Sequence, residues 1–304
     1  MSRASLMPAE MSANAGKTPL DAEREPIVSI RTVQFVCAVI MALVVLSPLV
    51  LLVVGSLKPD RFIIAADFGS FRAFWTPEPT LKHYGEVLSF EGSFGFARYL
   101  MNSLWILVMT VGCGVIVNAM AGFVLAWGNI PGRAVMLSVI IALYVIPQES
   151  IVMPMLMLVT KMGLSDTYSA QILPWVASPL YTYLFYQFFS QLPKELYEAA
   201  SIDGASFFRT FRTVYLPLSM PAVATVSILM GIETWNQYLW PVLVSQSDYS
   251  RPISVAIASY FGQGEMYWDL AMASSVVMMV PVLILYIVFQ RWFVSSFIGS
   301  AVKG

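Results

Sequence analysis

The chain has 304 residues, 58% of them hydrophobic and 12% charged, with a formal net charge of −1. A soluble domain carries about 25% charge, so this composition is that of an integral membrane protein. No basic excess argues for nucleic acid as a partner.

Residues 1–31 are polar, rich in Ser, Ala, Pro and charge, and lack apolar periodicity. They read as a flexible tail ahead of a membrane domain over residues 32–304. They do not read as a signal peptide, because the apolar run behind them is too long and no small-residue cleavage site follows it. Six apolar stretches then occur, near residues 33–55, 100–126, 134–160, 170–189, 221–244 and 270–293. Each supplies the roughly 20 residues that a helix needs to cross about 30 Å of hydrocarbon. Helices satisfy every backbone group internally, whereas a barrel would need short alternating segments. The expected fold is therefore an all-α integral membrane protein with six transmembrane helices. Pro147 and Pro154 predict a kink or a late start in the third stretch.

With the N-terminus inside, ten of the 17 Lys and Arg residues fall on the cytoplasmic side and seven outside. Five of the seven lie in the long 56–99 loop, where the positive-inside rule is weak. Both termini are expected to be cytoplasmic. Cys37 and Cys113 sit in apolar stretches and read as buried, reduced thiols. His83, the single histidine, has no second ligand of its kind and is expected in an exposed loop, so no metal site is predicted.

Residues 190–220 are an unusually polar insertion. Pro193 suits the first turn of a helix over Lys194 to Ile202, with Ala199 and Ala200 leaving a smooth face. Gly204 breaks that helix, and Ser206 can cap a second one carrying Phe207, Phe208 and Phe211 at helical spacing until Pro217 ends it. The physics leaves two readings open. One is a compact knob whose small-residue tip admits another protein's groove. The other is an amphipathic helix pair lying on the membrane, with Arg209 and Arg212 at headgroup level.

Glu198-Ala199-Ala200, three residues, Gly204, nine residues, then Val214-Tyr215-Leu216-Pro217 resembles the EAA loop of binding-protein-dependent ABC importer permeases. The family pattern has Ile where this chain has Val214. The resemblance covers about residues 30–304 and includes Asn102-Ser103, the run Trp235-Asn236-Gln237-Tyr238-Leu239-Trp240-Pro241 and residues 299–304. It points to the carbohydrate-uptake class, in the branch of the smaller maltose-type membrane subunit and its sn-glycerol-3-phosphate relative. The resemblance implies a type I ABC importer permease fold with a cytoplasmic coupling loop. It also implies a related second permease, two cytoplasmic ATPase subunits and an extracytoplasmic solute-binding protein as partners, in a bacterial inner membrane. By that resemblance Glu198 pairs with a basic group on the ATPase, Ala199, Ala200 and Gly204 permit close approach, Asp203 stabilises the turn, and Pro217, which closes the pattern, belongs to the same docking loop. ATP and Mg would bind the ATPases, and no cofactor is expected in this chain, which lacks a Gly-x-x-x-x-Gly-Lys-Ser/Thr loop. The implied substrate is a sugar or oligosaccharide, with a polyol phosphate as the alternative.

Polar residues inside a span default to function or helix pairing. Glu233, Asn236, Gln237 and Trp240 fall at i, i+3, i+4 and i+7 and so share one helical face. Such a face offers hydrogen bonds beside an aromatic platform, as a sugar requires; interhelical bonding to a partner is the other reading. Gln148 and Glu149, after Pro147, either line a cavity or sit at a helix boundary. Asn118, among Gly112, Gly114, Ala119 and Gly122, reads as tight helix packing. The 245–269 loop, with Gln246, Tyr249, Tyr260, Gln263 and Trp268, is by the same resemblance a candidate contact for the binding protein. An intramembrane enzyme would need a convergent nucleophile and base or a metal, which the spans do not supply. A secondary transporter would leave the EAA-like loop unexplained.

Overall fold

The computed structural model describes residues 27–89, 96–258 and 267–301, with side chains described over 32–89, 96–258, 267–284, 286 and 287. Most of the N-terminal tail, Tyr260, Gln263 and residues 302–304 lie outside the described residues. Regular structure among the described residues is entirely helical. The chain divides into two compact units, Met1–Leu51 and Leu52–Gly304. The first unit is described through most of helix α1 (Ile27–Ser56), whose side chains from Val33 to Val50 are almost all exposed. A helix that is apolar all round suits lipid or another membrane chain. Cys37 is exposed on it and Cys113 half-buried, both free, so the expectation of buried thiols is corrected.

In the second unit, α2 (Arg61–Asp67) and α3 (Lys82–Val87) are short pieces of the 57–89 segment. This segment is tied down by polar contacts. Lys58, only 2% exposed, donates to Asp67 at 2.6 Å and to the Arg72 carbonyl at 2.9 Å. His83 is not the exposed loop residue expected. It lies buried in α3, with Nε2 3.0 Å from the Lys58 carbonyl and Nδ1 3.5 Å from Asp269. Those partners are far away in sequence, so nothing local announced them.

Helix α4 (Ala97–Trp127) is the unbroken centre of this unit. It packs closely on α8 (Pro179–Ser190) because Gly122 has no side chain: a Cβ there would stand 2.7 Å from Phe185 Cβ and from the Tyr186 nitrogen. The small-residue reading of this helix therefore holds.

By length and composition, α1 from Thr32 and α4 are the two described helices able to cross a membrane unbroken. The third apolar stretch is two helices, α5 (Arg133–Val145) and α6 (Gln148–Lys161), bent by 99°. Pro147 makes that break, while Pro154 stays inside α6. The fourth stretch divides into α7 (Tyr168–Val176) and α8 at Ala177 and Ser178, just ahead of Pro179. The fifth divides into α12 (Met220–Asn236) and α13 (Leu239–Val244). Between stretches four and five lie α9 (Lys194–Ile202), α10 (Phe207–Thr210), a π-helical turn over Phe211–Tyr215 and α11 (Leu216–Leu218). Pro217 does not end this run. The helix continues to Leu218 and then bends by 78° into α12. The wider π turn ahead of Pro217 accommodates a residue with no N–H to donate. Helices α14 (Ile253–Ala258) and α15 (Trp268–Ala301) complete the chain.

Candidate functional site

The 190–220 insertion folds as a knob. Helix α9 closes with the Gly204 N–H on the Ser201 carbonyl at 3.1 Å and the Ala205 N–H on the Ala200 carbonyl at 3.0 Å. This is a glycine-terminated helix end, with Gly204 at φ +73°. Ser206 then caps α10 by accepting from the Arg209 N–H. Glu198, Ala199, Asp203 and Gly204 are exposed, and Ile202 is 87% exposed at the tip. Ala200 is buried against the chain's own fold, so of the two alanines only Ala199 faces outward. Pro217 is exposed but lies beyond the tip.

An aromatic cluster anchors the knob. Phe123 of α4 is 1% exposed. Its ring lies 4.7 Å from Phe207, 5.2 Å from Phe211, 5.0 Å from Tyr215 and 5.7 Å from Phe189. Trp127 stacks on Tyr197 of α9 at 5.6 Å. Phe207 and Phe211 thus contact α4, which disfavours the reading of a helix pair floating on lipid.

Three helix breaks meet at one cleft of ≈ 480 Å³. Ile146 and Pro147, Ala177 and Ser178, and Gln237 all line it. Each break has a proline that removes a helix hydrogen bond. Neighbouring groups take up the freed backbone. The Ser254 hydroxyl donates to the Gln237 carbonyl at 2.8 Å, the acceptor that Pro241 cannot serve. Asn118 donates to the Val176 carbonyl at 2.8 Å and accepts from the Ser178 N–H at 2.9 Å and the Thr182 hydroxyl at 2.8 Å. Broken helices in a membrane are tolerated where the irregular backbone lines a cavity or is buried in protein.

Glu233 and Gln237 line this cleft together with Gln148, which the sequence had left between a cavity and a helix boundary. Glu233 Oε1 accepts from Gln148 Nε2 at 3.1 Å and Oε2 from the Tyr181 hydroxyl at 2.7 Å. The expected single face does not survive. Helix α12 ends at Asn236 and Gln237 is extended at ψ 130°, which turns the later residues away. Trp240 is buried, donating to the Ala170 carbonyl at 3.0 Å and packing edge-on to Trp175. Asn236 is exposed in the last turn of α12 and does not line the cleft. Tyr181 is the residue whose role sequence reasoning missed, because its partner lies 52 positions away. Asn118, read as helix packing, does join α4 to α7 and α8, through partners 58 to 64 positions away. No cluster of three potential metal ligands occurs among the described residues.

At the end of α4 far from the knob, Asn102 donates to the Tyr249 carbonyl at 3.1 Å and the Arg251 carbonyl at 2.9 Å. Ser103 accepts from the Ile253 N–H at 2.8 Å. These residues of the EAA-type resemblance thereby pin the 249–253 segment. Asp166, at φ 60°, pins the adjoining stretch by accepting from the Gln246 and Ser247 N–H groups at 3.0 Å. Hydrogen bonds from the Ser247 hydroxyl and these N–H groups hold its carboxyl below the usual carboxylate range, aided by Arg251. A depressed folded-state pKa stabilises the tether above the unfolded value and is lost as pH falls through the folded one. Amide-exchange protection of Gln246 and Ser247 should be flat from about pH 7 to pH 5, start to fall only near the unfolded carboxylate value of about pH 4, and be lost as pH drops further through the lower folded value. Asp166→Ala should remove that pH dependence, and protection that ignores both acid and the substitution would show that Asp166 is not the tether.

The sequence profile of binding-protein-dependent transport system inner membrane components matches residues 118–299. The chain belongs to this family. The matched region of this inner membrane component contains the whole knob and every element that lines the cleft. The trehalose/maltose transport system permease protein MalG of Thermococcus litoralis is 32% identical, over 90% of this chain and 97% of the relative. The arabinooligosaccharides transport system permease protein AraQ of Halalkalibacterium halodurans is 31% identical, over 87% of this chain and 93% of its own length. The sn-glycerol-3-phosphate transport system permease protein UgpE of Brucella suis is 31% identical, over 67% and 73%. The fold is similar to a chain of a bacterial ABC transporter involved in import of the acidic polysaccharide alginate, with a TM-score of 0.74, 22% identity, and coverage of 91% of this chain and 99% of that one.

Proposed function

We propose that this family member is a membrane permease subunit of an ATP-driven importer, translocating a sugar or oligosaccharide that an extracytoplasmic binding protein delivers. The observation that carries this reading is the knob, an exposed small-residue tip on a base of interlocked aromatic rings. A tip that is narrow and rigidly held suits docking into a cleft of an ATPase. Glu198 supplies a charge for pairing there, Ala199 and Gly204 supply close approach, and Asp203 caps the turn. Ala200 supports the tip from inside, and Pro217 sits where the run bends towards α12.

In this reading residues 32–304 form the permease domain, crossing a bacterial inner membrane six times, with residues 190–220 and both termini cytoplasmic. A related second permease completes the passage, and two ATPases bind ATP and Mg. No cofactor belongs to this chain. Lipid covers the apolar face of α1. Glu233 and Gln237, with Gln148, line the solute's path, and the 245–258 segment faces the binding protein. Trp240 fits better as a support of the break than as a solute contact, and Asn236 is the exposed last residue of α12, outside the cleft lining. The likeness to UgpE favours, as a second reading, a polyol phosphate carried by the same machinery.

The complex purified with its genomic neighbours should hydrolyse ATP several-fold faster when the binding protein and its solute are added. Solute transport by this chain without any ATPase would overturn the reading in favour of a secondary transporter.

A further inference from the structure

We propose that Glu233 makes the cleft selective against anions, so that the solute passing it is a neutral or cationic polyhydroxy compound and not a phosphate ester or a uronate. This rests on the importer reading and deepens it. Among the described residues that line the cleft, Glu233 is the only Asp, Glu, Lys, Arg or His. The remaining polar side-chain groups are the amides of Gln148 and Gln237, the hydroxyls of Thr234, Ser178, Tyr144 and Tyr181, and the indole N–H of Trp175. Amides and hydroxyls both donate and accept, which is the chemistry a neutral sugar needs.

The position of Glu233 is set by more than its own helix. Gln148 reaches it from the first turn of α6 and the Tyr181 hydroxyl from the first turn of α8. Three of the broken elements therefore converge on one carboxyl, yet the residue itself stays exposed. Its partners are both neutral donors, so its charge is left uncompensated by any described side chain of the cleft. A negative charge in a cleft with largely apolar walls focuses its field along the path. A phosphate or carboxylate on the solute meets repulsion with no cation in this wall to offset it, whereas an anion carrier would be expected to place Arg or Lys there.

The test reads the charge of the cleft without needing the natural solute. In the assembled complex, Cys37→Ser and Cys113→Ser remove the native thiols, and Ser178→Cys places one in the cleft wall, one turn before Tyr181 on α8. Rates of modification by aminoethyl methanethiosulfonate and by sulfonatoethyl methanethiosulfonate are each divided by the reagent's rate with a free thiol. The cation should lead by roughly tenfold, and Glu233→Gln should cut that lead to within about twofold. Leu180→Cys, also in the wall, repeats the measurement where Ser178→Cys impairs assembly. Equal rates, a preference untouched by Glu233→Gln, or no reaction with either reagent in any nucleotide state would each overturn the proposal. So would ATP-driven accumulation of sn-glycerol 3-phosphate by the wild-type complex. Loss of binding-protein-stimulated ATP hydrolysis would instead strike the importer reading, because the thiol rates do not depend on ATP being hydrolysed.

Discussion

The Gly204→Asp permease is expected to insert and assemble its helices normally while ATP-driven uptake falls to background. Gly204 has φ +73°, and a Cβ built there meets no atom within 4 Å. The folded chain therefore resists the substitution only through the left-handed backbone, which Asp adopts at a cost of about 1 kcal/mol. The consequence lies outside the chain. The substitution puts a second carboxylate beside Asp203 on the exposed tip, where the proposed docking groove closes. Membrane abundance, capture of the ATPase and uptake should be measured together. Gly204→Asn, nearly the same shape without the charge, separates crowding from repulsion. Normal uptake by a fully assembled Gly204→Asp complex would mean that the tip is not the docking surface.

The second large effect is expected from Phe123→Ala. This ring is shared by Phe189, Phe207, Phe211 and Tyr215. Truncating a buried Phe typically costs about 3–5 kcal/mol, from lost transfer energy and the cavity left behind. Here part of that loss falls on the joint between knob and membrane helices. The variant should melt at lower temperature, and the complexes that remain folded should hydrolyse ATP while moving less solute per ATP. Phe123→Leu should recover much of the stability. An unchanged ratio of transport to hydrolysis in Phe123→Ala would show that the force does not pass through this cluster.

The parts legible in the sequence were those governed by local rules. Pro193, Gly204 and Ser206 act within a few residues of themselves, and the two-helix knob follows from them. The apolar stretches likewise fall on the observed helices. The breaks were only half legible. Pro147 marked one correctly, but Pro179 and Pro241 carried the same signal in stretches four and five, and apolar composition alone hid it. Pro241 deprives the Gln237 carbonyl of its helical donor, which is why the helical face from Glu233 to Trp240 comes apart. What satisfies each break was not legible at all. Asn118 and Ser254 reach their carbonyls from other helices, and no spacing rule connects Glu233 with Tyr181 or His83 with Asp269.

Helix α4 holds the loop-pinning pair Asn102 and Ser103 near one end and Phe123 near the other, with no break between them. At 1.5 Å per residue, the 20 residues from Ser103 to Phe123 make a stiff rod of about 30 Å. A tilt of roughly 10° about its middle would carry each end about 2.6 Å, in opposite directions. A push at the knob therefore arrives at the far loop as a counter-movement, like the two arms of a see-saw. In the proposed importer, one side of the membrane shuts as the other opens because both are fastened to the same beam.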